Sequence, residues 1–188
     1  MILQNSNLLK DHEIDVILVD RTDQQIGVEG KVRAHELGRL HRAFSVIIYN
    51  SKGEMLIQRR AFSKYHSPGL WSNTCCGHPL PTEPAQNAAE RRLWEELGFT
   101  CKLKFRAFIL YHLKLDYGMF EHEYVHIFEA TSSSDPVFKL NQEEVEEIKW
   151  ITPQKALEEV KTNPFHYTRW FRLYLLKYFV KVFKQELT

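Results

Sequence analysis

Gly77–Phe99 reads GHPLPTEPAQNAAERRLWEELGF and carries the strongest structural signal of the chain. Pro84 suits the first turn of a helix and Gly98 suits its stop. Ala85, Ala88, Ala89, Leu93 and Leu97 share one apolar face, so the spacing predicts a helix over 84–97. Arg92 and Glu96 stand four apart on a single helix face. A solvated surface helix with Glu–Arg pairs would read the same way, so the charges alone do not assign a function.

The segments around this helix read mostly as strands. EIDVILVD (Glu13 to Asp20) has a β-branched centre. Phe44 to Tyr49 and Met55 to Arg59 flank a hairpin turn, Asn50 to Glu54, that contains Gly53. Lys102 to Leu115, Glu123 to Ala130 and Val145 to Ile151 are further strands, and Thr131 to Pro136 is a loop. Pro153 to Lys161 reads as a helix capped by Thr152, and Tyr167 to about Gln185 as a longer aromatic-rich one. Strands and helices mix without a regular βαβ rhythm, so the fold class is α/β (α+β). No repeat or composition break divides residues 1–188. They read as one domain with an N-terminal extension (1–30) including one strand and a C-terminal helix (164–188).

Bulk properties exclude several classes. The chain of 188 residues is 44% hydrophobic, enough for one sizeable core. A net charge of +1 gives no global field for nucleic acid or a membrane surface. Apolar runs such as Val46 to Ile48 are far too short for membrane insertion. The N-terminus does not read as a signal peptide. Three cysteines, two of them adjacent, make a poor disulfide framework, so a reducing cytoplasm is expected.

The donor residues narrow the chemistry. His35, His41, Cys75-Cys76-Gly77-His78 and Glu121-His122-Glu123 put imidazoles, carboxylates and a thiol near segment ends. A divalent cation is the simplest reason to gather them. A metal, a thiol and a carboxylate together suggest proton transfer. Each residue also has a bland reading. Cys76 alone is a buried structural cysteine, Tyr111 is strand packing, and Trp170 is core among Phe171, Tyr174 and Tyr178. Cys75 keeps the structural reading. His12, His66, His112, His122, His126 and His166 have no motif support and are expected to be structural or exposed.

The Gly77–Phe99 stretch resembles the Nudix box, a loop–helix–loop that presents carboxylates to Mg²⁺ on a diphosphate. It departs from that pattern where Arg92 replaces the usual Glu after the first Arg. With AHELGRLHRAFS (34–45), SNTCCGHP (72–79) and FEHEYVHIF (120–128), the chain resembles type I isopentenyl-diphosphate delta-isomerase from about Lys31 to Trp170. The resemblance implies a Nudix-like α/β/α sandwich with a mixed central sheet. It also implies interconversion of isopentenyl and dimethylallyl diphosphate in isoprenoid synthesis.

By matched motif, the resemblance implies one Mn²⁺ or Zn²⁺ on His35, His41, His78, Glu121 and Glu123. It implies a substrate-linked Mg²⁺ on Glu96 and diphosphate contacts from Lys31, Arg60, Lys64 and Arg92. Cys76 and Glu123 would move protons on opposite faces of the alkene, Tyr111 would assist Glu123, and Trp170 would face the tertiary cation. The expected partner is a small allylic or homoallylic diphosphate. The oligomeric state stays open, a monomer being favoured. Two other readings remain: a Nudix hydrolase of a nucleoside or sugar diphosphate, motivated by Glu83, Glu95 and Glu96, and a non-catalytic metal or diphosphate sensor.

Overall fold

The structure, a computed structural model, describes residues 13–64, 66–115, 118–132 and 136–183. Its centre is β3 (His41–Tyr49), whose run AFSVIIY is apolar at both odd and even positions. A strand of that kind must be covered on both faces. Ala43, Ile47 and Tyr49 enter one core, while Phe44, Val46 and Ile48 enter the other.

β3 pairs in parallel with β8 (Phe120–Thr131) along its whole length, and β7 (Lys104–Lys114) runs antiparallel on the far side of β8. The hairpin to β4 (Met55–Arg60) forms as expected, and β9 (Val145–Ile151) pairs with β4. Helix α2 (Ala85–Leu97) lays Ala85, Ala88, Ala89, Leu93 and Leu97 on the second core. Helices α3 (Pro153–Thr162), α4 (Arg169–Lys177) and α5 (Phe179–Val182) cover the first. Helices therefore sandwich a mixed sheet, as expected.

The structure differs from the sequence reading in three places. Residues 1–30 contain two described strands rather than one, β1 (Asp15–Val19) and β2 (Gln25–Gly30), paired antiparallel. Their turn uses Asp20, whose Oδ1 accepts from the backbone N–H of Thr22 and Gln24 at 2.8 and 3.0 Å, and it contains no glycine to betray it. A short helix, α1 (Lys31–Leu37), follows directly without a side-chain cap.

Next, two strands of two and three residues, β5 (Trp71–Ser72) and β6 (Cys75–Gly77), complete the sheet; they are too short to show a period. Finally, the C-terminal helix does not run unbroken. A 3-10 turn at Pro164–His166 precedes α4, and Tyr178 leaves helical geometry between α4 and α5. That kink turns Phe179, Val182 and Phe183 into the core. The expected end near Gln185 lies outside the described residues.

Candidate active site

Strand register builds the site. Side chains on a strand alternate between faces, and residues opposite one another across a pair share a face. The parallel register sets His41 against Glu123, and the antiparallel register sets Tyr111 against Glu123. Cys76 stands opposite Ser45. His41, Ser45, Cys76, Tyr111, Glu121 and Glu123 thus fall on the face that holds the first core, at its polar end. Cys75, one residue on, points into the second core and is fully buried.

His35, His41, His78, Glu121 and Glu123 offer five donor atoms within 4.8 Å of one another. The three ring nitrogens facing inward are Nε2. His35 Nδ1 donates to the Lys31 carbonyl at 2.7 Å and His41 Nδ1 to the Arg39 carbonyl at 2.8 Å. A carbonyl oxygen only accepts, so in each neutral ring Nε2 carries the lone pair. His41 Nε2 sits 3.2 Å from His78 Nε2, and His78 Nε2 sits 2.9 Å from Glu123 Oε1. His35 Nε2 and Glu121 Oε2 face each other at 3.4 Å, both buried without a hydrogen-bond partner.

Buried polar atoms without partners are costly. A divalent cation satisfies them together, and backbone acceptors on the outer imidazole nitrogens are the usual support for such ligands. The residues present therefore fit the metal that the donor set implies. Burial pulls His35 down, but the Glu121 carboxylate outweighs it and leaves the imidazole above its ordinary pKa. Burial, with His41 and Lys31 nearby, holds His78 well below.

In front of this cluster lies a cavity of about 230 Å³. Cys76, Tyr111, Glu123 and Trp170 line it, and so do all four expected cations, Lys31, Arg60, Lys64 and Arg92. Burial pushes the Cys76 thiol up to about 12, with Arg60 pulling the other way. Burial also raises Glu123, but the His41 imidazole, with Glu121 and Tyr111, leaves its carboxyl below the usual range. The Tyr111 hydroxyl donates a short hydrogen bond to Glu123 Oε2. Trp170 enters from the first turn of α4. Its Nε1–H donates to Ser72 Oγ at 2.9 Å, and the Arg60 guanidinium lies 5.4 Å from its ring centroid.

The cations are not alike. Arg60 Nε is buried and has no hydrogen-bond partner. Arg92 is held by carboxylates, at 2.8 Å from Glu95, 2.7 Å from Glu96 and 3.1 Å from Glu144. Lys64 meets Glu144 at 2.9 Å. Glu96 also accepts from Gln58 Nε2 at 2.8 Å.

Sequence reasoning missed Glu144 and Gln58, which carry no motif spacing. His66, expected to be structural or exposed, is buried, lines the cavity, stacks on His35 and meets Trp170 edge-on at 5.8 Å. Its neighbours in sequence, Arg60 at the end of β4 and Lys64 on the loop that follows, were the available hint. The remaining histidines behave as expected where described. His122 donates to the Gly38 carbonyl, His126 pairs with Asp23, and His112 and His166 are exposed; His12 lies outside the described residues.

Comparison with known proteins fits this geometry. The NUDIX domain family matches residues 39–171. A Photorhabdus laumondii protein named isopentenyl-diphosphate Delta-isomerase 2 is 43% identical over 84% of this chain and 88% of its own. Proteins named isopentenyl-diphosphate Delta-isomerase 1 from Aromatoleum aromaticum and isopentenyl-diphosphate Delta-isomerase from Burkholderia multivorans are 45% and 44% identical. They align with 84% and 83% of this chain, and with 88% of their own length in each case. Among solved structures, a Deinococcus radiodurans protein superposes with a TM-score of 0.66 at 21% identity, covering 79% of this chain and 90% of its own. A Methanosarcina mazei MutT protein gives 0.60 at 22%, over 75% and 94%. These two share the fold.

Proposed function

The chain belongs to the isopentenyl-diphosphate Delta-isomerases of the NUDIX superfamily, and from that premise we propose how its own residues carry the reaction. It moves the double bond of isopentenyl diphosphate to give dimethylallyl diphosphate. The observation that carries the reading is one cavity lined by Cys76 and Glu123 together with Lys31, Arg60, Lys64 and Arg92.

The diphosphate binds to Lys31, Arg60, Lys64 and Arg92. The buried, unpartnered Arg60 Nε supports this, because an anion would satisfy it. In the isopentenyl-to-dimethylallyl direction, Glu123 protonates the terminal carbon of the alkene. Cys76 takes a proton from the carbon on the other side of the resulting tertiary cation. The roles swap in reverse. Tyr111 orients the Glu123 carboxyl and shares its proton. Trp170 offers the cation an indole face, worth roughly 2 kcal/mol when desolvated. Its burial at the cavity wall also keeps out water that would capture the cation.

His35, His41, His78, Glu121 and Glu123 would hold a Mn²⁺ or Zn²⁺, and Glu96 a Mg²⁺ shared with the diphosphate. When bound, these ions supply positive charge that fixes the Glu123 carboxyl and neutralises the diphosphate. All three cysteines are free, which suits a reducing cytoplasm.

The test is incubation of the purified protein with isopentenyl diphosphate, following dimethylallyl diphosphate and phosphate separately. Isomer formation without phosphate release is expected. Phosphate release from a diphosphate panel with no isomer would establish a hydrolase instead.

A further inference from the structure

Glu144 lines the cavity beside the diphosphate cations, yet the reading above gives it no part. It immediately precedes β9, and each of its oxygens holds one cation. Oε1 lies 3.1 Å from Arg92 Nη2, and Oε2 lies 2.9 Å from Lys64 Nζ. Arg92 comes from α2 and Lys64 from the loop after β4, so one carboxylate spans two segments that reach for the same diphosphate. Its side chain is 15% exposed. Burial raises the Glu144 carboxyl, but Arg92 and Lys64 outweigh it and keep it below the usual carboxylate range. It is therefore charged at neutral pH.

An ion pair that only fastens a loop is the ordinary reading of such contacts. Here the backbone already fastens the loop. The Asn141 N–H donates to the Glu96 carbonyl and the Ala61 N–H to the Glu144 carbonyl, both at 2.9 Å. The carboxylate instead adds to an excess of negative charge. Arg92 and Lys64 between them hold Glu95, Glu96 and Glu144, three carboxylates on two cations. Glu95 also reaches Arg91, but both Glu83 oxygens already fork onto that guanidinium.

That excess decides what the cavity can take. A free diphosphate would have to claim Arg92 and Lys64 while carboxylates of its own sign stay alongside. Charges in partly buried surroundings are screened little by salt. A divalent cation carried by the diphosphate reverses the balance, because Mg²⁺ accepts phosphate and carboxylate oxygens alike. Repelling the wrong form is as effective a route to specificity as attracting the right one.

We propose that Glu144 is a specificity-determining residue: its charge keeps the free diphosphate off Arg92 and Lys64 and admits the diphosphate that arrives with Mg²⁺. Glu144 takes no part in moving the double bond.

The inference rests on the reading above for the place of the diphosphate, and inorganic pyrophosphate tests it without turnover. Pyrophosphate is titrated calorimetrically into the purified wild type and into Glu144→Gln, with Mg²⁺ and in Mg²⁺-free buffer. Glutamine keeps the shape of the side chain and drops its charge. Wild type is expected to bind at least about tenfold more weakly without Mg²⁺. In Glu144→Gln the Mg²⁺-free affinity should rise about tenfold, and the gap between the two conditions should shrink by the same factor. A loop strut would instead weaken binding alike in both conditions, and that result overturns the proposal. So does a wild type that binds pyrophosphate equally well with and without Mg²⁺, a measurement that needs no variant to fold. Absence of any pyrophosphate binding overturns it too. Isopentenyl diphosphate is assayed on the same wild-type sample. Turnover alongside an unchanged gap in the variant removes the role of Glu144 alone. Absence of turnover removes the isomerase reading, whichever way the gap falls.

Discussion

His35 Nε2 and Glu121 Oε2 are the two atoms whose isolation speaks most clearly for a metal. Wild-type protein is expected to retain about one transition-metal ion per chain and to unfold at a higher temperature when Mn²⁺ or Zn²⁺ is added, since a ligand of the folded state stabilises it. His35→Leu should lose both the ion and the metal-dependent shift. Metal analysis and thermal scans check this, and an equal shift in both proteins would contradict it. The donor set was legible in the sequence because imidazoles and carboxylates in that number seldom gather without cause. His66, Gln58 and Glu144 were not, because a single polar residue in a loop or strand carries no spacing. Arg92 was legible as a cation, and it lines the cavity. Its pairs with Glu95 and Glu96 follow from helix spacing, but its contact with Glu144 depends on a second segment meeting α2, which no local pattern reveals.

Helix α2 was the clearest element in the sequence, and its observed bounds differ from the expected ones by one residue. Its apolar face and its stop at Gly98 were both written locally. Gly98 has φ +60°, and a Cβ there would lie 2.9 Å from the Lys139 carbonyl oxygen and 2.8 Å from Lys139 Cβ. Gly98→Ala should cost more than the roughly 1–2 kcal/mol of a left-handed alanine, because backbone must move as well; denaturant unfolding measures it.

At the other end, Glu83 ties the preceding loop to α2 through a fork to Arg91 at 2.8 Å on both oxygens. Burial raises the Glu83 carboxyl, but Arg91 and the Leu80 N–H outweigh it and hold it below the ordinary value. A depressed carboxylate stabilises the fold above its unfolded pKa and loses that contribution as pH falls through the folded value. Glu83→Gln should therefore be less stable than wild type at pH 7 by about 0.5–1 kcal/mol after solvent screening. The difference should vanish below the folded value. A difference that persists unchanged in acid would contradict the ion pair. Elements with weak local signals escaped the sequence: α1 has no side-chain cap, β5 and β6 are too short, and the α4–α5 kink at Tyr178 answers to the core.

The mixed sheet explains why one small cavity can hold so much chemistry. Because β3 and β8 run parallel, the start of β3 meets the early part of β8, and His41 and Glu123 come together there. Because β6 and β7 run antiparallel to β3 and β8, Cys76 and Tyr111 arrive on the same face from other parts of the chain. α2 closes the cavity from one side with Arg92 and Glu96, and α4 from the other with Trp170. The sequence held every one of these groups, but which strands would pair in parallel lay beyond local pattern. The joint role of the thiol and the carboxylate can be measured on the whole protein, by comparing the isomerisation rates of wild type, Cys76→Ala and Glu123→Gln after confirming that all three fold. Each variant is expected to lose at least ~10²-fold in kcat. Wild-type rates in both would contradict the assignment of these two residues as the groups that move the proton.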